Sequence, residues 1–469
     1  MPQSQKQARS EKQAADVRSE KQAAGVWPPS AARRLVGWLR GPRGHPLARA
    51  RAAGRTWSGK PPRPEPFRLV DGRLLGGLLA VILALVVTTV IAQRQPEEPA
   101  APVLRDVVPP IPSVRRSTEL GPIKQPSRVS ARDNGQSTRY GQESVWVFAD
   151  TVLRAPWGFL SNTAATTSDL DASDGVTLTA SDVAGNHATE PARFLSPNPT
   201  ERAFEAAHAK STNCVPALDV YCGAQFALWP GAVITDAARH RVLVFYNKLC
   251  RGGSEGTPCT GQYGKGLGTG VAVLDMLTHK VTRLKAANAR PVLSVEGVDP
   301  TMFFPPSPGY AAAALVFGDD AYVYGDCVRG CHLARVPLRD LSDRSKWRFY
   351  IGRDRHGNAG WSADVSHAVD AIAAGAAGNS VFWDPALHGW LNLYLPYGTN
   401  ELTAQIGGSP YGPWSPPFSL LTTDTGGTGT NYAAFAHPEY AKQNGLVEYV
   451  SYYQTSSGNQ RLVQITFGR

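Results

Sequence analysis

Cysteine is missing from the first 213 positions of this 469-residue sequence, acidic side chains are few before position 74, and charge is absent from 74 to 92. Each gap excludes something. The C-terminal part contains no Walker, Rossmann, Ser-His-Asp or HExxH pattern, which leaves nucleotide chemistry and zinc proteolysis without support. Helical periodicity is scarce beyond residue 128, which argues against a helix bundle. The net charge of +10 is concentrated at one end, because residues 1–73 hold 16 Lys/Arg against 5 Asp/Glu. The rest of the chain is close to neutral, so the basic pI describes a tail and not a nucleic-acid-binding surface.

The uncharged stretch 74–92 reads LLGGLLAVILALVVTTVIA, 19 residues, about the length that spans a bilayer core. Arg55, Lys60, Arg63, Arg68 and Arg73 precede it closely, and only Arg94 and Arg105 follow closely. The positive-inside rule therefore predicts a single-pass protein of the cell membrane, N-terminus cytoplasmic and C-terminal domain extracytoplasmic. The alternative, a cleaved signal peptide, conflicts with so long a preceding segment.

That basic tail opens with a nine-residue duplication, SEKQAADVR and SEKQAAGVW, and turns Arg-, Gly- and Pro-rich. It offers too little apolar surface to offset ordering entropy and is expected to be disordered, with no partner that the sequence identifies. RRLVGWLR (33–40) is either a short basic helix for an anionic membrane surface or part of a solvated tail. Residues 93–127 carry eight prolines and read as an extended spacer.

All six cysteines lie beyond the hydrophobic span, at 214, 222, 250, 259, 327 and 331. An oxidising compartment allows three local loop staples, 214–222, 250–259 and 327–331, the simplest of 15 connectivities. Zinc is the weaker alternative, because the spacings are irregular and no His pair accompanies them.

Residues 128–469 form the expected globular domain. Short runs rich in β-branched and aromatic residues recur in pairs: GAVITD with RVLVFYN, AAALVFGD with AYVYGD, NSVFWD with GWLNLYL, YAAFAHP with LVEYVSYY. With the 130–150 region they make five strand-turn-strand units, each followed by outer strands. Five units predict an all-β, five-bladed propeller, with a β-sandwich pair as the alternative.

The first unit carries the chemistry. With Gly141-Gln142 as a two-residue loop, Tyr140 faces Glu143 and Asp133 falls opposite Asp150. Two carboxylates on one face resist double ionisation, which splits their pKa values as hydrolysis of a glycosidic bond requires. The alternative is that each aspartate only caps its turn, and a register slip of one residue separates them. Trp157, Phe159 and Asn162 follow, a stacking surface with an amide that suits a sugar ring. Trp229, Trp361, Trp383, Trp390 and Trp414 add aromatic surface near predicted loops, although core packing is the plainer role for any one of them.

RDNG, VWVFADT, FLSNTAA, SPYGPWSPPFSL and FAHPEYAKQNGLVEYVSYY together resemble an actinobacterial family of five-bladed propellers. That family, formerly a domain of unknown function, includes endo-D-arabinanases (glycoside hydrolases) acting on the mycobacterial cell wall. The resemblance implies Asp133 and Asp150 as paired catalytic acids, Asn162 as a site-lining residue, and His437 as an axis histidine beside a central ion or water. Glu296 is the first choice for a third acid and Asp320 the second, since both lie near predicted strand ends. Trp383 joins Trp157, Asn162, Asp320 and His437 as candidate substrate-binding positions. Ala149 stands where the family pattern has glycine.

The expected function is thus a membrane-anchored glycoside hydrolase acting on furanosidic linkages of cell-wall arabinan or arabinogalactan. No catalytic cofactor is expected, and a structural cation such as calcium on the propeller axis is the one candidate ion. The alternative is a non-catalytic propeller that binds wall polysaccharide or a protein partner through the same pocket.

Overall fold

The computed structural model describes residues 101–155, 157–178, 190–209, 223–252, 259 and 264–468. The tail, the hydrophobic span 74–92 and the pair Cys214 and Cys222 lie outside these residues. Among the described residues no helix is long and apolar enough to cross a membrane.

The chain forms a five-bladed β-propeller. Strand β1 (Ser113–Pro122) comes first and belongs to the last blade. Blade 1 contains β2 (Val129–Tyr140), β3 (Glu143–Leu153), β4 (Gly158–Leu160) and β5 (Thr163–Thr167), and helix α1 (Pro199–Ala207) follows it. Blade 2 contains β6 (Ala224–Asp236), β7 (Arg241–Gly252), β8 (Lys265–Asp275), β9 (Val281–Arg283) and β12 (Met302–Phe304). A small ribbon of β10 (Leu293–Ser294) and β11 (Gly297–Val298) interrupts it. Blade 3 contains β13 (Ala313–Phe317), β14 (Asp320–Gly325), β15 (Gly330–Pro337), β16 (Arg348–Arg353), β17 (Ala359–Ser362) and β18 (Asp370–Ala373). Blade 4 contains β19 (Ser380–Asp384), β20 (Gly389–Tyr394), β21 (Glu401–Gly407) and β22 (Phe418–Thr422). Blade 5 contains β23 (Tyr432–Ala436), β24 (Val447–Gln454) and β25 (Asn459–Gly468), with β1 as its outermost strand.

Each strand pair foreseen in the sequence is the inner hairpin of one blade. Both faces of a blade pack on neighbours, so the strands read as nearly continuous apolar runs. Five clusters fill the five interfaces: Val145, Val147 and Val244 join blades 1 and 2, and Phe245, Val323 and Trp347 join 2 and 3. Tyr324, Leu333 and Trp390 join blades 3 and 4, and Leu393, Val450 and Ile465 join 4 and 5. Trp146, Phe148 and Tyr449 join blades 5 and 1. Backbone bonds near the axis tie the inner strands, including Ala232 N–H to Ala311 carbonyl at 2.9 Å and Ala433 N–H to Ala376 carbonyl at 3.0 Å.

The N-terminal limit of the domain differs from the expected 128. Strand β1 pairs with β25 from Ser113↔Gly468 to Pro122↔Arg461, so the two ends of the domain close the ring together. Its Arg-rich sequence and flanking prolines disguise it as linker, yet an outer edge strand needs little apolar surface. Upstream, the Arg105 N–H donates to the Gly408 carbonyl at 2.8 Å, which docks that segment on blade 4. Two of the expected disulfides are present, Cys250–Cys259 and Cys327–Cys331.

Candidate active site

The β2–β3 hairpin turns at Gly141, whose φ of +59° is a conformation glycine adopts without steric cost. Pairing runs from Tyr140↔Glu143 to Gln136↔Val147 without a shift. Two irregularities follow. Gly135 is an extra residue on β2, and beyond it Asn134 pairs with Phe148. Between that pair and Arg132↔Thr151, Asp133 alone stands opposite Ala149 and Asp150. The two bulges cancel, so the original frame is restored at Arg132. Bulges re-aim side chains beside functional sites, and here one falls on the two aspartates and the other lies at Gly135, two residues from Asp133.

Asp133 and Asp150 are 5% and 6% exposed. Their surroundings are unlike. Asp150 accepts from Trp229 Nε1 at 3.0 Å through Oδ1 and from Arg251 Nη1 at 2.7 Å through Oδ2. The Arg251 guanidinium also lies over the rings of Phe159 and Trp229, 5.3 and 5.4 Å from their centres. Among the described residues no cation pairs directly with Asp133, and Arg251 acts on it only as a secondary influence. Asp133 Oδ2 accepts from the Tyr432 hydroxyl at 3.1 Å, and its Oδ1 is buried without a hydrogen-bond partner among the described residues. Burial first, and then the negative charge of Asp150, hold the Asp133 carboxyl well above the usual range. Tyr432 and Tyr453, with ring centres 4.9 Å apart, wall the pair on the blade 5 side, and both phenols are pushed up by burial.

Ala149 also has a place. Its methyl packs with Ala227, Trp229 and Leu249 in one buried cluster. The residue that departs from the resembled pattern thus braces the tryptophan that donates to Asp150.

The other expected site residues go elsewhere. Asn162 is fully buried, and its amide clamps Leu195, donating to the carbonyl at 3.1 Å and accepting from the N–H at 2.6 Å. That leaves the amide occupied by the fold and not free to meet a sugar. Trp157 is half-buried in the turn before β4. Asp320 and Trp383 sit at the β13–β14 and β19–β20 hairpins, on the rim shared with Tyr140 and His240, which meet at 3.0 Å. Asp133 instead meets Tyr432, the first residue of β23, near the opposite ends of the inner strands. Trp383 packs against Trp390 at 5.7 Å.

Glu296, the expected third acid, belongs to a separate buried cluster. The Lys248 ammonium bonds it directly and also meets Glu201 Oε1 at 2.7 Å and Asp299 Oδ2 at 2.6 Å. Arg283 adds pairs to Glu201 at 2.6 Å and to Asp299 at 3.3 Å. Glu201, Glu296 and Asp299 have oxygens within 4.8 Å of one another, as a cation site requires, but the chain supplies its own cation there. Against the cost of burial, Glu201 and Asp299 hold the lysine above its usual pKa.

His437 does not fit the role of a ligand to a central cation. Its Nδ1 and Nε2 hydrogen bond with the Ser137 and Ser451 hydroxyls at 2.6 and 2.8 Å, and the Trp146 ring packs at a tilt with centres 4.2 Å apart. Burial pushes its pKa down to about 3, so it is a neutral strut between blades 1 and 5.

Arg251, Trp229, Tyr432 and Tyr453 complete the surroundings of the pair; of these only Trp229 was foreseen, as one of the aromatic residues near predicted loops. Among the other three, a lone arginine in KLCRG, ending a strand beside a disulfide cysteine, was the one legible signal.

The model of a domain of unknown function (DUF5005) matches residues 224–464. The match begins on the first residue of β6, so it includes Trp229, Arg251, Tyr432 and Tyr453 and leaves out Asp133 and Asp150. No curated protein matches the chain. Among solved structures, a hydrolase described as putative from Bacteroides ovatus is 13% identical with a TM-score of 0.45, over 73% of this chain and 86% of that one. A GH43_1 enzyme from Xanthomonas citri complexed with xylose is 13% identical, TM-score 0.38, over 75% and 89%. An α-L-arabinofuranosidase from Podospora anserina in complex with cellotriose is 11% identical, TM-score 0.39, over 76% and 98%.

Proposed function

The chain belongs to the DUF5005 family, and from that premise we propose that it is a glycoside hydrolase in which Asp133 and Asp150 act as a pair. The observation that carries this reading is their electrostatic division. Asp150 is fixed by Arg251 and Trp229, while burial and then the charge beside it hold the Asp133 carboxyl well above the usual range. A carboxylic acid with a raised pKa beside a second carboxyl group is the arrangement that proton donation to a glycosidic leaving group uses.

In the proposed reaction Asp133 gives its proton to the glycosidic oxygen as the bond to the anomeric carbon breaks. The Asp150 charge stabilises the developing oxocarbenium ion. Water then adds its oxygen to the anomeric carbon, and its proton returns to Asp133. Both oxygens of Asp150 are engaged, which suits charge stabilisation better than covalent attack. The proposed substrate is a furanosidic arabinan of the cell wall, met by a domain tethered outside the membrane through residues 74–92; this finer assignment rests on the sequence resemblance.

The low exposure of both carboxylates favours a second reading, a propeller that binds wall polysaccharide without cleaving it. One experiment separates them. The purified full-length chain is incubated with mycobacterial arabinogalactan and released oligosaccharides are measured. Hydrolysis predicts release by the wild type and none by Asp133→Asn or Asp150→Asn, with folding intact. Equal binding by all three without release establishes the binding propeller.

A further inference from the structure

Arg132 precedes Asp133 in the chain and points away from it, into the seam between blades 1 and 5. It is 1% exposed, and its guanidinium lies over Phe148, 4.7 Å from the ring centre. Nη1 donates to Gln125 Oε1 at 3.1 Å, whereas Nε and Nη2 are buried without a hydrogen-bond partner among the described residues. Among the described residues no carboxylate pairs with it. Burial alone pushes its pKa down to about 9. An unpaired guanidinium taken out of water is costly, and a counter-ion at hydrogen-bond distance offsets that cost.

A cavity of about 190 Å³ adjoins it, between the end of β1, the start of β2 and the β24–β25 hairpin. Gln125, Ser127, Ser130, Arg132, Arg154 and Gln460 give it a polar lining, and among the described residues no acidic residue lines it. The Gln125 amide nitrogen is a second buried donor without a partner. The cavity therefore has two guanidinium groups and unsatisfied donors, with a neutral carboxamide where a counter-ion belongs. Planar donors in this arrangement match a carboxylate.

We infer that this cavity is an anion subsite that takes a carboxylate, which displaces the Gln125 side chain and pairs with Arg132. One source is a uronate or acyl substituent carried by a glycan chain; the other is a free small carboxylate. The glycan source rests on the proposed function, whereas the site does not. The Gln460 amide nitrogen donates to the backbone carbonyls of Arg132 and Asn134, on either side of Asp133. An occupied subsite would therefore lie one peptide unit from the carboxylate pair.

The test uses the full chain, titrated with D-glucuronate, D-glucose, acetate and a uronate-bearing oligosaccharide, with binding and melting temperature measured. Glucuronate should bind and raise the melting temperature, and glucose should do neither. Gln125→Glu places a carboxylate beside Arg132 from within; it should raise the melting temperature and weaken glucuronate binding by ~10-fold or more. Arg154→Gln, at the exposed mouth, should weaken binding while leaving the fold intact. Acetate as effective as the oligosaccharide identifies a free anion; tighter binding of the oligosaccharide identifies the glycan. Equal responses to glucuronate and glucose, or a Gln125→Glu chain less stable than wild type, would overturn the inference. None of these readouts requires hydrolysis, so a chain that cleaves nothing still tests the subsite.

Discussion

Arg251 and Asp150 form a buried ion pair at 2.7 Å that links the first two blades, with side chains only 3% and 6% exposed. Without the arginine, the Asp150 charge keeps one hydrogen bond from Trp229 and loses its counter-ion. Removing one partner of a buried pair costs about 3–5 kcal/mol. Arg251→Met should lower unfolding free energy in denaturant titrations by about that amount, and Asp150→Asn added to it should recover part of the loss. A loss below ~1 kcal/mol would mean that Asp150 is solvated or finds another cation.

Asp384 supplies a pH dependence of stability. It is fully buried; Oδ1 accepts the Ala386 and Leu387 amides at 2.9 and 3.0 Å, and Oδ2 has no partner. Burial pushes its pKa up to about 6. Glu448, also buried, is held well above the usual range by burial and then by Asp384. A raised folded-state pKa means that the folded chain keeps a proton the unfolded chain has released. Stability therefore falls as pH rises from about 4 to about 6. Asp384→Asn should remove roughly 3 kcal/mol of that fall, read from denaturation curves across the window. An unchanged slope would assign the effect to other groups.

The ends of the domain allow a sharper test of architecture. A chain beginning at residue 128 lacks β1, which leaves β25 as an unpaired edge and uncovers Val463 and Ile465, now buried. Exposed edges of this kind pair between molecules. The truncated chain should melt lower and elute as aggregates on size exclusion, whereas a chain beginning at residue 101 should remain a single species. Equal behaviour of the two would show that β1 contributes little to ring closure.

The blades were legible because each inner hairpin carries its own apolar pairing and turn residues. Gly141 fixed the β2–β3 register, and two later bulges cancel, so a simple count from the turn still placed Asp133 against Asp150. The remaining surroundings of the pair were not legible, because they come from other blades. Trp229 and Arg251 are 79 and 101 residues from Asp150, and Tyr432 is 299 from Asp133. Glu296 looked available because a sequence does not show that Lys248, 48 residues away, points its ammonium at it. Asn162 and His437 misled for a related reason. A buried amide or imidazole held by the fold carries the same letter as one held for a ligand.

The Lys248 cluster leads to the last prediction. One ammonium meets three carboxylates and is fully buried with two of them. Lys248→Ser removes the cation and leaves Glu201, Glu296 and Asp299 with oxygens within 4.8 Å of one another, a hard oxygen cage in which, among the described residues, Arg283 alone offsets the charge. The variant should lose about 3–5 kcal/mol of stability without metal, as expected for breaking a buried ionic network. Calcium should then restore part of the loss, raising the melting temperature of Lys248→Ser and leaving that of the wild type unchanged. Calcium that stabilises both chains equally would place its site elsewhere. Calcium that stabilises neither would show that the cage relaxes once the lysine is gone.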